Sequence, residues 1–131
     1  MNNGELRYRL LASDGSAYIR TEASADGGWQ NSHHHEKVLE TYIVQHKWLA
    51  LAELDGDDLR LRIMHPDDTY TTRVGVPHNV YLPGYAVIHT VKHGGAGGSD
   101  DWFSDPRLDA RTKHLSEDQI LGLAGEQRRR A

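Results

Sequence analysis

The 131-residue sequence contains no cysteine, which excludes disulfide bonds, thiolate metal sites and cysteine nucleophiles. It also has no apolar run close to the roughly 20 residues that a transmembrane helix needs, and its first residues lack the pattern of a signal peptide. Basic residues form a single cluster, at 128–130, in a chain of net charge −4. A nucleic-acid-binding surface is therefore not expected. We expect a cytoplasmic protein that binds a small molecule and neither membrane nor nucleic acid.

The length fits one domain, since domains most often have about 100–150 residues. Short strand-like runs recur about every ten residues and are separated by Gly, Pro and Asp turns, as is typical of an all-β sandwich or barrel. The clearest runs are 17–21, 40–52, 59–64, 70–74, 79–82 and 86–92. We therefore predict an all-β barrel over residues 1–98.

The remaining residues, 99–131, are predicted to form a C-terminal extension of the same domain, after a glycine-rich stretch at 94–99. Residues 101–103 (DWF) are interpreted as an anchor that packs back onto the barrel. Residues 116–119 (SEDQ) have the pattern of a helix capping box. A short helix is expected from about residue 117, with its end fraying near Gly125.

Histidine is abundant, with nine residues, and it is the commonest side-chain metal ligand. Alternate residues of a strand share one face and lie about 6.5–7 Å apart along it, so His33 and His35 are expected to point the same way. Glu40 lies at an odd offset from His35, and a continuous strand would send it to the opposite face. It joins the two histidines only if the chain turns within residues 36–39.

These residues resemble the first sequence motif of the cupin family, G-x5-H-x-H-x3–4-E-x6-G. Gly27, His33, His35 and Glu40 stand at the motif positions, and Lys47 replaces the final glycine. The match includes two histidines and one glutamate at the spacing of the motif. This combination is more specific than a His-x-His pair alone.

A second stretch resembles the other cupin motif, G-x5-P-x-G-x2-H-x3-N. Gly75 and His78 match it, whereas Asp67, Arg73 and Leu82 replace its first glycine, its proline and its asparagine. The replaced positions belong to turns and packing, and the ligand position is retained. The two motifs together cover residues 27–82.

The resemblance implies a small single-domain cupin: a double-stranded β-helix, or jelly-roll barrel, with a short C-terminal helix. It implies a divalent metal ion held by His33, His35, Glu40 and His78. Three imidazoles and one carboxylate suit iron, manganese, zinc, nickel, cobalt or copper, among which the sequence does not choose. It also implies a homodimer, in which shared edge strands would shield exposed strand edges.

The function expected from the resemblance is that of a metal-dependent enzyme acting on a small polar metabolite, a sugar or a sugar-derived acid. Isomerisation or epimerisation would use the metal as a Lewis acid, with Tyr42 or His89 moving the proton. Tyr42 shares strand parity with Glu40, but packing alone also explains it. His89 is either a base in the barrel lumen or a hydrogen-bonded core histidine. The alternatives are an Fe(II)-dependent dioxygenase and a non-catalytic metal- or sugar-binding module.

Overall fold

In the computed structural model, which describes residues 3–95 and 101–130, the strands form two antiparallel sheets that face each other. The strands are β1 (Leu6–Leu11), β2 (Ala17–Glu22), β3 (Gly28–Trp29), β4 (His33–His34), β5 (Leu39–His46), β6 (Leu49–Asp55), β7 (Asp58–Met64), β8 (Thr69–Thr71), β9 (His78–Leu82), β10 (Val87–His93) and β11 (Phe103–Ser104). The helices are α1 (Pro106–Thr112) and α2 (Glu117–Arg130).

The first sheet has the strand order β1-β2-β10-β5-β8, and the second has the order β11-β4-β9-β6-β7, with β3 also paired to β9. Between β4 and β10 the chain passes repeatedly from one sheet to the other. This is the connectivity of a jelly-roll barrel, and the predicted all-β fold is confirmed. The predicted run 40–52 is two strands, because a tight turn after His46 separates β5 from β6.

The inward-facing side chains change from polar to apolar along each central strand. Glu40 on β5 and His78 on β9 lie at one end of the barrel, whereas Val44 and Leu82 lie farther along the same strands. The apolar end forms a single core, because burying aliphatic surface is the dominant favourable contribution to folding. The core residues are Ala23, Tyr42, Val44, Leu49, Leu51, Met64, Val80, Leu82, Ala86 and Ile88.

Two positions where the cupin motifs have glycine keep a left-handed backbone without it. Lys47 has φ 69° and Asp67 has φ 77°, a region that costs an L side chain roughly 1–2 kcal/mol. Gly27 is a glycine for a further reason, since a Cβ there would lie 2.3 Å from the carbonyl oxygen of Leu82. The loop shapes are thus retained where the residue types differ.

The C-terminal helices pack against the outer face of the second sheet, where Leu108, Ile120 and Ala124 are buried. The capping box is present: Ser116 N–H donates to the Gln119 side chain, and Gln119 N–H donates to Ser116 Oγ. Helix α1 was not predicted. The predicted boundary after residue 98 lies outside the described residues.

The expectation that the last helix frays near Gly125 is wrong, because α2 continues to Arg130. The Gln127 side chain accepts a hydrogen bond from Leu61 N–H (2.8 Å) and donates one to the Leu59 carbonyl (2.9 Å). These bonds tie the last turns of α2 to strand β7. None of the helices in the described ranges is long and apolar enough to cross a membrane.

Candidate metal centre

Three imidazoles converge on one carboxylate oxygen at the polar end of the barrel. The distances to Glu40 Oε1 are 3.0 Å from His33 Nε2, 2.6 Å from His35 Nε2 and 2.9 Å from His78 Nε2. The four side chains are buried, and their donor atoms lie within 4.8 Å of one another. His33 on β4 is paired directly with His78 on β9, so the sheet itself brings the two motifs together.

Glu40 reaches this cluster because the chain bends at residues 36 and 37, within the segment where a turn was required. Strand β5 then begins, and Glu40 faces the lumen with Tyr42. Its backbone N–H donates to Thr72 Oγ1 (3.0 Å), and its carbonyl accepts from Thr72 N–H (2.8 Å). The predicted assembly of His33, His35, Glu40 and His78 is therefore present.

The other ring nitrogen of each histidine faces a backbone carbonyl. The accepting carbonyls for His33, His35 and His78 are those of Asn31, Asp101 and Val76. A carbonyl only accepts, so each Nδ1 carries the proton and donates it. In a neutral ring the Nε2 lone pair then points at a carboxylate oxygen, which is also an acceptor. A cation resolves this conflict, and the residues fit a divalent metal. These four residues form a metal site.

The charges of the cluster support each other despite burial. Burial works against the Glu40 carboxylate, but the close contacts of its Oε1 with the three histidine rings hold its pKa well below the ordinary value. Burial lowers the pKa of His33, whereas for His35 the contact with Glu40 and the hydrogen bond to the Asp101 carbonyl outweigh burial and raise the pKa. A carboxylate that stays ionised is what a metal ligand must be.

A cavity of about 640 Å³ lies above the ligands, between the two sheets. His33, His35 and Glu40 line it together with a set of polar and aromatic side chains from other strands. The most prominent of these are Arg7, Arg9, Tyr42, Thr90, Lys92 and Trp102. Besides the metal ligands, the cavity is thus bordered by three cationic side chains, those of Arg7, Arg9 and Lys92.

Tyr42 lies in this lumen, and its ring meets that of His78 edge to face with the centroids 6.2 Å apart. Burial, followed by the negative charge of Glu40, raises the pKa of Tyr42 well above its ordinary value. The hydroxyl therefore stays protonated across the physiological range.

His89 does not reach the lumen, and the prediction of a lumen base at this position is wrong. It lies opposite Arg20 and Ile43 in the row of side chains on the outer face of the first sheet. Its ring bonds to the Tyr18 hydroxyl (2.5 Å) and to the Gln45 side chain (2.6 Å). Ile88 and Thr90, on either side of it, are the buried and inward-facing residues of β10.

Sequence reasoning missed several residues of the site. Arg7 and Arg9 are two positions apart on β1 and therefore share one face of the strand. This spacing could have predicted that both point into the barrel. Asp101 and Trp102 were interpreted only as an anchor. Asp101 is buried, and although burial opposes its charge, three backbone N–H groups hold the pKa of its carboxyl below the ordinary value.

A larger groove of about 1060 Å³ lies between β7 and α2, away from the metal ligands. It is rich in arginine, but three of these pair with acidic side chains nearby: Arg60 with Asp55, Arg73 with Glu53 and Arg130 with Glu126. The smaller lumen, which contains the metal ligands, is the candidate site.

No protein-family model and no curated protein matches this chain. Among solved structures it is similar to oxalate decarboxylase from Bacillus subtilis at pH 4.6, with 16% identity and a TM-score of 0.65 over 94% of this chain and 33% of that one. It is also similar to recombinant oxalate oxidase in complex with glycolate, with 17% identity and a TM-score of 0.60 over 96% and 73% of the two chains.

A third similar structure is a Bacillus subtilis oxalate decarboxylase described for its Mn(II) centres, with 14% identity and a TM-score of 0.64 over 91% of this chain and 35% of that one. This chain thus spans about a third of the decarboxylase. At such identities the likeness shows the fold. These structures are cupins, so the cupin fold predicted from the two motifs is confirmed.

Replacing His78 with alanine is expected to abolish stoichiometric metal binding, because the site loses one of four ligands and leaves a buried carboxylate without compensation. Elemental analysis of protein purified without chelators measures this directly. His34→Ala is the matched control, since His34 points away from the cluster and stacks on Phe103. Equal metal content in wild type and His78→Ala would contradict the assigned ligand set.

Proposed function

We propose that this cupin is a metal-dependent enzyme that acts on a small metabolite bearing a carboxylate group. The observation that supports the proposal is the lumen, in which a metal site and several cationic side chains border one cavity of about 640 Å³. Pockets of about 300–1,000 Å³ suit small ligands. A carboxylate in this space would meet positive charge on two sides.

The cations of the lumen are not equivalent. Arg7 donates to Glu5 (3.0 Å), so its charge is balanced within the protein. Arg9 and Lys92 have no ion-pair partner among the described residues, and both border the cavity. Lys92 lies opposite Glu40 in the sheet register, at the depth of the metal site. Arg9 and Lys92 are therefore the side chains that we propose bind the substrate anion, since Arg matches the planar fork of a carboxylate.

The metal that we propose is manganese, which the ligand set accommodates and which one of the similar structures is described as containing. A divalent ion held by His33, His35, Glu40 and His78 would supply Lewis-acid chemistry to a bound carboxylate. The protein's part is to orient the substrate with Arg9 and Lys92, beside the Trp102 ring that borders the same cavity.

Tyr42 is the proposed proton donor. Its hydroxyl lines the cavity beside Glu40, and its raised pKa means that the group is protonated before the reaction. Glu5, the other buried carboxylate nearby, is occupied by hydrogen bonds from Arg7, Asn3 and Gln30. The described lumen thus supplies a proton donor, Tyr42, but no carboxylate that is free to act as a base.

Two reaction classes differ in what they require of the lumen. The first is isomerisation or epimerisation of a sugar-derived acid, in which a base must remove a proton from carbon before Tyr42 can return one. Outside the ligand set, no carboxylate or imidazole lines the described cavity, so this class is less favoured. The second is decarboxylation or oxidation of a small dicarboxylate, favoured by the acid without a separate base and by the likeness in fold to oxalate decarboxylase and oxalate oxidase. Decarboxylation needs no net oxidant, whereas the oxidation would consume dioxygen from solution, as an Fe(II)-dependent dioxygenase also would.

The metal-loaded protein should turn over at least one member of a panel of sugar acids, hydroxy acids and oxalate. Solvent deuterium in the product without oxygen uptake would identify isomerisation, whereas released CO2 or consumed oxygen would identify the second class. Tyr42→Phe keeps the ring and loses the proton, so we expect kcat to fall about 10²–10⁴-fold at unchanged metal content. Tight binding of these acids with no turnover would contradict an enzymatic function.

Arg9→Gln is expected to raise KM, or the Kd of a carboxylate measured by calorimetry, about 10–100-fold, since a charge-assisted hydrogen bond contributes roughly 1.5–3 kcal/mol. The metal content should stay as in wild type because Arg9 is not a ligand. Arg20→Gln is the control: Arg20 is on the outer face of the same sheet, where it pairs with Glu22. An equal effect of both substitutions would refute the binding role of Arg9.

We also propose a homodimer formed through strand β1. This strand is the edge of the first sheet, and its outward residues Leu6, Tyr8 and Leu10 are 58%, 53% and 70% exposed. Antiparallel pairing with a second β1 about a twofold axis would satisfy the free backbone groups of the edge and cover these side chains.

Sedimentation analysis is expected to show a dimer for the wild type and a monomer for Leu10→Lys, because a charge within the interface would be desolvated without a partner. Val74→Lys changes an exposed residue away from β1 and should leave the dimer intact. A monomeric wild type at micromolar concentration would contradict this proposal.

A further inference from the structure

Residues 101–104, here called the latch, return to the barrel after the glycine-rich stretch and contact the metal centre. From this segment we infer that the latch is part of the metal site, and that Asp101 is a positioning residue on which metal affinity depends. The inference concerns the metal site alone, so it does not depend on which reaction the protein catalyses.

The Asp101 carboxylate holds the bend between two ligands. It accepts hydrogen bonds from three consecutive backbone N–H groups, those of Glu36 (2.7 Å), Lys37 (2.9 Å) and Val38 (2.8 Å). These residues connect His35 to Glu40. The five-residue offset between these ligands requires a turn, and the carboxylate is what satisfies the donors that this turn exposes.

The latch also contacts two of the histidines directly. The Asp101 carbonyl accepts the Nδ1 proton of His35, which fixes the tautomer and the orientation of that ring. The Trp102 ring stacks on His33 with centroids 5.3 Å apart and an interplanar angle of 24°. Strand β11 then pairs with β4, with Ser104 opposite His33. One short segment therefore holds two of the histidine rings and the bend that leads to Glu40.

The physical consequence is a coupling between metal binding and docking of the latch. Without the carboxylate, three amides of a tight bend would have to find other partners or remain unpaired, and the relation between His35 and Glu40 would loosen. Coupling is reciprocal: if the docked latch favours the metal, the metal favours the docked latch to the same extent.

The test is Asp101→Asn, which keeps the shape of the side chain but places an NH2 group against backbone N–H donors. We expect the Kd for Mn²⁺ alone, measured by calorimetry, to rise about 10–100-fold, as outer-shell substitutions typically do. The visible spectrum of the Co²⁺-substituted variant should also change, because His35 and Glu40 no longer keep their geometry. A merely structural role would leave that spectrum as in wild type.

Asp105→Asn is the matched control. Asp105 is buried in the same part of the chain, and its carboxylate also accepts a backbone N–H, that of Leu108 (2.9 Å), at the start of α1. Within the described part of the chain it forms no hydrogen bond with residues 36–38. We expect Asp105→Asn to lower thermal stability while the Mn²⁺ Kd and the Co²⁺ spectrum stay as in wild type.

A second measurement uses the wild type, so that it stands even if Asp101→Asn does not fold. Hydrogen exchange at the amides of residues 36–38 should slow when Mn²⁺ is added, because metal binding favours the docked latch. Unchanged exchange at these amides on saturation with Mn²⁺ would overturn the inference, as would a wild-type Mn²⁺ affinity in folded Asp101→Asn.

Discussion

The whole site depends on one electrostatic constraint: four acceptor atoms that face a common point. Backbone carbonyls take the Nδ1 protons, so the three Nε2 lone pairs and the Glu40 carboxylate oxygen are left facing each other inside the barrel. Such an arrangement is unfavourable when it is buried and empty of positive charge, and it becomes favourable around a divalent cation. Most features of the lumen follow from the need to hold these atoms together.

The same strands that carry the ligands also carry the apolar core, which gives the site a rigid support. On β5 the inward-facing residues are Glu40, then Tyr42 and then Val44. On β9, His78 is followed on the same face by Val80. Displacing a ligand would therefore require repacking of a close-packed interior. At the polar end the ligands share the cavity with Arg7, Arg9, Lys92 and Trp102.

The ligand set could be predicted because the two stretches of sequence resemble the cupin motifs at all four ligand positions, whereas the spacing alone left Glu40 on the opposite face of a continuous strand. The orientation of His89 could not, since it depends on the register between β10 and β5, in which His89 lies opposite Ile43. The role of Asp101 was also hidden, because its partners at residues 36–38 are more than sixty positions away. Likewise, α2 extends beyond Gly125 because Gln127 bonds to β7, a tertiary contact that no helix propensity contains.

That contact between Gln127 and β7 has a consequence for the proposed dimer. The side-chain amide of Gln127 donates one hydrogen bond to β7 and accepts one from it, much as the next strand of a sheet would. The β7 edge of the second sheet is therefore already covered at this point. The margins formed by β8 and β11 are only three and two residues long. Of these edge strands, only β1 is long enough to pair with a strand of another molecule. If β1 of one molecule pairs with β1 of the other, both edges are used up and no further molecule can add there. Assembly would then stop at a finite pair and would not propagate into a fibre.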